Sequence, residues 1–287
     1  MGKLIQFCTR ASRFDGPFGP DVGWPAAGMG YFVVTDSGRI IAVDGGHPED
    51  AEDLLSLMES YCPHCIPEVD LWIITHPHRD HHGALTRICS DIELRKRVKI
   101  NRLCYYFPNE YIDREGRNCC VHDNGLLSEA AESVLAQQVL PTVDQCINVD
   151  GAEVRFLFTP TDCSILNRAG NANLCSLIFT VKGSHRTAMF TGDAYNRNMQ
   201  IVVWRYPGAL KCDILQAPHH GLCDTANAEF YRAVSPEILL VPISAAGDRC
   251  MHSGLYADSD YLKANLELEG SAKEIYRAYQ GHVEITL

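Results

Sequence analysis

Long apolar runs are missing from this chain. None approaches the ~18 residues a membrane helix needs, and the opening Met1-Gly2-Lys3-Leu4-Ile5-Gln6 is too short and polar for a secretory signal. No membrane partner is expected, and the chain reads as a free-standing soluble domain. Basic residues are scarce: 25 Lys and Arg face 36 Asp and Glu, a net charge of −11. Affinity for polyanions comes mostly from Lys and Arg displacing counterions, so long duplex DNA is disfavoured as a partner. The basic run Arg95-Lys96-Arg97-Val98-Lys99, with Arg102 nearby, reads first as a solvated helix end or strand edge and only second as a phosphate patch.

Other absences narrow the chemistry. There is no Ser-His-Asp arrangement, so Ser164, Ser176 and the cysteines need no covalent role. The glycines near Gly28 lack the strand-then-helix context of a nucleotide loop. The 13 cysteines are odd in number and follow no repeating spacing, which argues for reduced thiols in the cytoplasm rather than a disulfide framework. Cys62-Pro63-His64-Cys65 has the spacing of a redox or metal pair. It follows a predicted helix (Ala51 to Tyr61), is closed by Pro67 and has no second Cys-x-x-Cys, so a plain turn is the better reading. With 46% hydrophobic and 21% charged residues the chain is an ordinary folded protein, and without repeats or a linker residues 1–287 read as one domain. Its oligomeric state is left open.

What is present is dense. His76, His78, Asp80, His81 and His82 fall within seven positions, directly after the apolar run Val69 to Ile74. A buried strand delivering imidazole and carboxylate groups at its C-terminal edge offers what zinc, manganese or iron take. Similar deliveries recur elsewhere in the chain: Asp44 after Arg39 to Val43, Asp193 after Phe179 to Phe190, and His219-His220 after Asp213 to Gln216. Gly30 to Thr35 and Arg39 to Val43 read as a hairpin. A Gly/Pro loop, Phe14 to Gly30 with Trp24 at its tip, precedes it and could fold over the site edge. Pro48 opens a helix. Further helices are expected at Ala84 to Cys89, from an N-cap at Ser128, at Ala226 to Val234 and at Asp258 to Leu268. Further strands are expected at Leu103 to Phe107, Val154 to Thr159, Leu174 to Val181, Arg186 to Thr191, Ile214 to Ala217 and Ile238 to Val241, with an insertion over 108–127.

His76, His78, Asp80 and His81 match the His-x-His-x-Asp-His signature, and with Asp44, Asp193 and His219-His220 in order the chain resembles the metallo-β-lactamase superfamily. Asn173 to Ile178, Thr191-Gly192-Asp193 and Pro218-His219-His220-Gly221 are most similar to the metallo-β-lactamase-like domain of ComEC-type DNA-uptake proteins. The resemblance implies an α/β fold, a four-layer αββα sandwich with two divalent ions, zinc or manganese, between its sheet edges. His76 and His78 would hold one ion, and Asp80, His81 and His219 the other, with Asp193 bridging; His220 competes with His219. Asp44 and Asn173 would stand behind the ligands. Many members place a histidine where this chain has Asn173 to Ser176, so the third protein ligand of the first ion is unassigned. Asp80, His220 and His252, the last in the place of the branch's late histidine, would serve catalysis. The implied activity is hydrolysis by a metal-activated water of a phosphodiester or related anionic ester, on a small or mid-sized substrate. Alternatives are a lactone, thioester or β-lactam hydrolase, or a non-catalytic metal-binding module.

Overall fold

The computed structural model describes residues 2–19, 23, 26–108, 120–162 and 172–287. In chain order the first half contributes β1 (Lys3–Gln6), β2 (Gly30–Val34), β3 (Arg39–Asp44), α1 (Ala51–Ser60), β4 (Glu68–Ile73), α2 (Arg79–Ser90), α3 (Ile92–Arg95), β5 (Lys99–Ile100), β6 (Arg102–Cys104), α4 (Val121–Ser133) and β7 (Gln137–Val139). The second contributes β8 (Cys146–Val149), β9 (Ala152–Phe158), β10 (Ile178–Lys182), β11 (Thr187–Phe190), α5 (Asn196–Arg205), β12 (Ile214–Gln216), α6 (Ala228–Val234), β13 (Ile238–Val241), α7 (Ala245–Met251), α8 (Asp260–Ser271), β14 (Glu274–Arg277) and β15 (Val283–Thr286). They form two sheets, ordered β15-β1-β2-β3-β4-β6-β7, with β5 also on β4, and β14-β13-β12-β11-β10-β9-β8. β15 crosses back to lie antiparallel to β1, Lys3 opposite Thr286.

Alternation along the strands sorts side chains into layers. Ile41 and Val43 join Tyr31, Leu71 and Ile73 in one core with Phe156, Phe179, Val181 and Phe190 of the other sheet. Ile40 and Ala42 face the opposite way, clustering with Trp72, with Leu54, Leu55 and Met58 of α1, and with Leu85 and Ile88 of α2. Leu215 and Leu239 do the same with Met199 and Val202 of α5 and Phe230 and Val234 of α6. The result is the expected four-layer α/β sandwich. β3 and β4 run parallel, as do β11, β12 and β13, so the segments that follow β3, β4, β11 and β12 emerge in register at strand C-terminal ends. No helix among the described residues is long and apolar enough to cross a membrane.

Several boundaries differ from expectation for physical reasons. α2 starts at Arg79, five residues before the expected Ala84, because its buried first-turn face is made of Asp80, His81 and His82 and shows no apolar period. Gly83 lets this turn touch the 3-10 turn Pro48–Asp50: a Cβ there would stand 2.5 Å from Pro48 Cδ. α4 starts at Val121, so Ser128 lies inside it and is not a cap, and only 109–119 of the expected insertion lie outside the described residues. The strand expected from Leu174 begins at Ile178, after a 3-10 turn over Ala172–Cys175. Trp24 lies outside the described residues. The basic run is matched by acids, Arg97 to Glu59, Lys96 to Glu93 and Lys99 to Glu68.

Two expectations test this framework. Trp72, fully buried, donates its indole N–H to the Asp44 carbonyl at 2.8 Å. Trp72→Phe removes the donor and leaves a small void, which should cost roughly 2–4 kcal/mol in urea denaturation. Glu68 accepts from Asn101 and Lys99 and pairs with Arg39, which together hold its carboxyl down at about 2. Because the folded value lies below the unfolded one, this stabilisation is present above pH ~4.5 and fades as pH falls towards 2. The Tm gap between wild type and Glu68→Gln should therefore narrow from pH 6 to pH 3; a gap that widens would exclude this account.

Candidate metal centre

β3 ends on Asp44, whose φ of 54° is left-handed, a conformation that Asp tolerates better than most residues. Its Oδ1 accepts from Thr75 N at 2.8 Å, and its Oδ2 accepts from Thr75 Oγ1 and His81 Nδ1, both at 2.8 Å. Since the single hydroxyl proton of Thr75 goes to Asp44, Thr75 Oγ1 is left to accept from His76 Nδ1 at 3.1 Å. One carboxylate thus sets two tautomers, and in their neutral forms both histidines turn an Nε2 lone pair inward. His220 reaches the same state by another route, donating from Nδ1 to the Pro242 carbonyl at 2.7 Å. Asp193 follows β11 and donates its N–H to Ser176 Oγ at 3.1 Å. Gly192 brings it in at φ 52°; a Cβ there would stand 2.8 Å from Thr75 Cβ, so the two sheet edges meet only through glycine.

The side chains gather in two groups, His76, His78 and Asp193, and Asp80, His81 and His220. His76 Nε2 lies 3.5 Å from Asp193 Oδ2, His81 Nε2 lies 3.4 Å from Asp193 Oδ1, and His220 Nε2 lies 3.3 Å from Asp80 Oδ2. Two ligand atoms ~2.1 Å from one tetrahedral ion stand ~3.4 Å apart, so these separations suit shared ions. His81 Nε2, Asp193 Oδ1 and His220 Nε2 are buried and have no hydrogen-bond partner, a costly arrangement that a cation would relieve. The donor set of imidazole and carboxylate therefore fits divalent ions, with Asp193 facing both groups. Burial alone would raise the Asp193 carboxyl, but His81, His220, His76 and His219 hold it well below the usual range. Burial, reinforced by His81, pushes His76 down, which favours the neutral, ligating form.

The structure brings His76, His78, Asp80, His81, Asp193 and His220 together, and it corrects the preference for His219 in the second group. Residues 219 and 220 are both left-handed, φ 46° and 57°; each sets its Nε2 3.6 Å from Asp193 Oδ2, and His220 is the one that also reaches Asp80. His219 instead sets Nδ1 on Asp224 Oδ1 at 2.7 Å and Nε2 on Asn173 Nδ2 at 3.1 Å. His252 is not brought to the site. It is 41% exposed at the end of α7, bonded to the Asp248 carbonyl and 3.5 Å from Glu269, and it is not among the residues lining the cleft. Thr75, Ser176 and Asp224 were missed by sequence reasoning. Thr75 alone carried a signal, as the polar residue between the apolar strand and the first histidine.

A cleft of about 360 Å³ opens over the two groups, lined by His78, Asp80, Asp193, His219 and His220 and walled by Phe18, Ala26, Ala27, Leu222 and Ile243. No family model and no curated protein matches this sequence. Solved structures do. A metallo-β-lactamase fold protein, YhfI from Bacillus subtilis, is similar over 99% of this chain and 100% of its own, with 15% identity and a TM-score of 0.56. Zn2+-bound PqqB from Methylobacterium extorquens is similar over the full length of both chains, with 11% identity and a TM-score of 0.57. The diiron β-hydroxylase CmlA from Streptomyces venezuelae matches 99% of this chain with 54% of its own, at 16% identity and a TM-score of 0.53. The chain has the metallo-β-lactamase fold.

If Asp193 serves both groups, Asp193→Ala should empty or loosen both, while Asp44→Asn, which disturbs one histidine of each, should weaken metal binding ~10–100-fold. Elemental analysis after dialysis reads both outcomes, and a full metal complement in Asp193→Ala would remove it from the bridge.

Proposed function

We propose that this protein is a metal-dependent hydrolase that cleaves a phosphodiester or related anionic ester of small or middle size with water. The observation that carries the reading is the convergence of three buried, partnerless ligand atoms, His81 Nε2, Asp193 Oδ1 and His220 Nε2, beneath an open cleft. Divalent ions held there would polarise the scissile group and bring the pKa of a water towards neutrality. The chain's own part is to hold the ligand set rigid. Asp44, Thr75 and the Pro242 carbonyl lock the imidazoles, and the sheet edges leave the cleft as the route in. The choice of a phosphodiester rests on the likeness of Thr191-Gly192-Asp193 and Pro218 to Gly221 to the ComEC-type domain.

One observation favours a second reading, a compact lactone, thioester or β-lactam. Among the described residues the cleft wall holds no Lys or Arg, and much of it is apolar. A panel of short phosphodiesters, lactones, thioesters and β-lactams, run at fixed metal content, separates the two. Phosphodiester turnover should dominate, fall at least ~100-fold with chelator, and return with added manganese or zinc. Turnover confined to lactones or thioesters would transfer the assignment to the second reading, and silence across the panel would leave a non-catalytic metal-binding module.

A further inference from the structure

Among the described residues the first group gathers three candidate ligands, His76, His78 and Asp193. The nearest unused imidazole is His219. Its Nδ1 is 2.7 Å from Asp224 Oδ1, and a carboxylate only accepts, so Nδ1 carries the proton and, in the neutral ring that a metal takes, Nε2 carries the lone pair. That lone pair faces inward. It accepts from Asn173 Nδ2 at 3.1 Å and lies 3.6 Å from Asp193 Oδ2, the same oxygen that stands 3.5 Å from His76 Nε2. The separation is again close to the ~3.4 Å edge of a shared tetrahedral ion. Asp224 stands behind His219 as Asp44 stands behind His81, a carboxylate fixing the tautomer of an imidazole.

We infer that His219 is the third nitrogen of the first metal group, supplied from the strand-end turn after β12. The Pro218–Gly221 turn then serves two ions with two adjacent histidines, His219 to the first and His220 to the second. Both residues are left-handed and both set Nε2 3.6 Å from Asp193 Oδ2, while only His220 also reaches Asp80, at 3.3 Å. Asn173 becomes a positioning residue whose amide holds the His219 lone pair towards the site. The inference rests on the metal-dependent reading above but concerns ligation, so binding and not turnover tests it.

Zn2+ affinity and stoichiometry would be measured by competition with a chromophoric chelator, and Co2+ coordination by visible absorption, with far-UV circular dichroism to confirm folding. Glycine takes a φ of 46° without strain and offers no ligand, so His219→Gly is the cleanest variant. It should retain one ion at close to wild-type affinity and bind the other at least ~100-fold more weakly, more than loss of an outer partner costs. Asp224→Asn should weaken the same ion ~10–100-fold. His219→Gly combined with His220→Ala should lose both, and His252→Ala, another histidine removed from outside the site, should lose neither. Should His219→Gly fold poorly, His219→Asn keeps the left-handed backbone and should weaken the same ion to a lesser degree. Two ions bound by His219→Gly at wild-type affinity would overturn the assignment while leaving the hydrolase reading intact. A wild-type protein that binds no Zn2+ or Co2+ would overturn both.

Discussion

The site depends on the carboxylate of Asp44. It makes three hydrogen bonds, to the backbone and hydroxyl of Thr75 and to His81, and through Thr75 it also reaches His76. Each candidate metal group therefore has one histidine whose proton position is set by the same side chain. The carboxylate is held at the end of β3 by a left-handed backbone and by the Trp72 indole on its carbonyl. Backbone strain at a position like this persists only where surrounding structure over-determines it, and here the outer core packs Trp72 beneath the strand edge. Core packing and ligand chemistry are joined at one residue.

The second constraint is closeness between two sheet edges. Gly192 passes Thr75 at a distance no side chain would allow, and Leu177 N bonds to the Thr75 carbonyl at 3.0 Å. His219 N in turn bonds to the Gly192 carbonyl at 3.1 Å. Ligands from three strand ends, those of β4, β11 and β12, are thus tied by backbone contacts as well as through shared carboxylates, which gives a ligand set the rigidity that differential stabilisation of a transition state requires.

Much of this was legible in the sequence, for a reason of spacing. His76, His78, Asp80 and His81 lie so close along the chain that strand-then-helix geometry leaves them little choice but to converge. Asp44 and Asp193 were found because each ends an apolar run, and parallel strands bring such ends to one edge. The start of α2 was hidden because its buried face is polar, so hydrophobic periodicity begins a turn late. Which of His219 and His220 reaches Asp80 was hidden because adjacency in sequence says nothing of φ, and two consecutive left-handed residues are rare away from glycine. His252 was misplaced because a position in chain order does not report which way a helix end faces. Asp224 acts through its bond to His219, and such a partner leaves no pattern of its own.

Local and overall charge point in different directions here. The chain carries −11 overall, and the cleft holds three of its acids, Asp80, Asp193 and Asp224, with no Lys or Arg among its described lining residues. Without metal such a cleft would repel an anionic substrate. Two divalent ions would reverse the sign locally, since +4 exceeds the −3 of those three carboxylates, and the field of bound ions dominates at contact range while the distant surface charge is screened within ~8–10 Å. Anion selectivity would then come wholly from the ions and shape selectivity from Phe18, Leu222 and Ile243. That division sets a size limit: a compact anionic ester can satisfy both demands, whereas a long polyanion would carry its remaining charges onto an acidic surface.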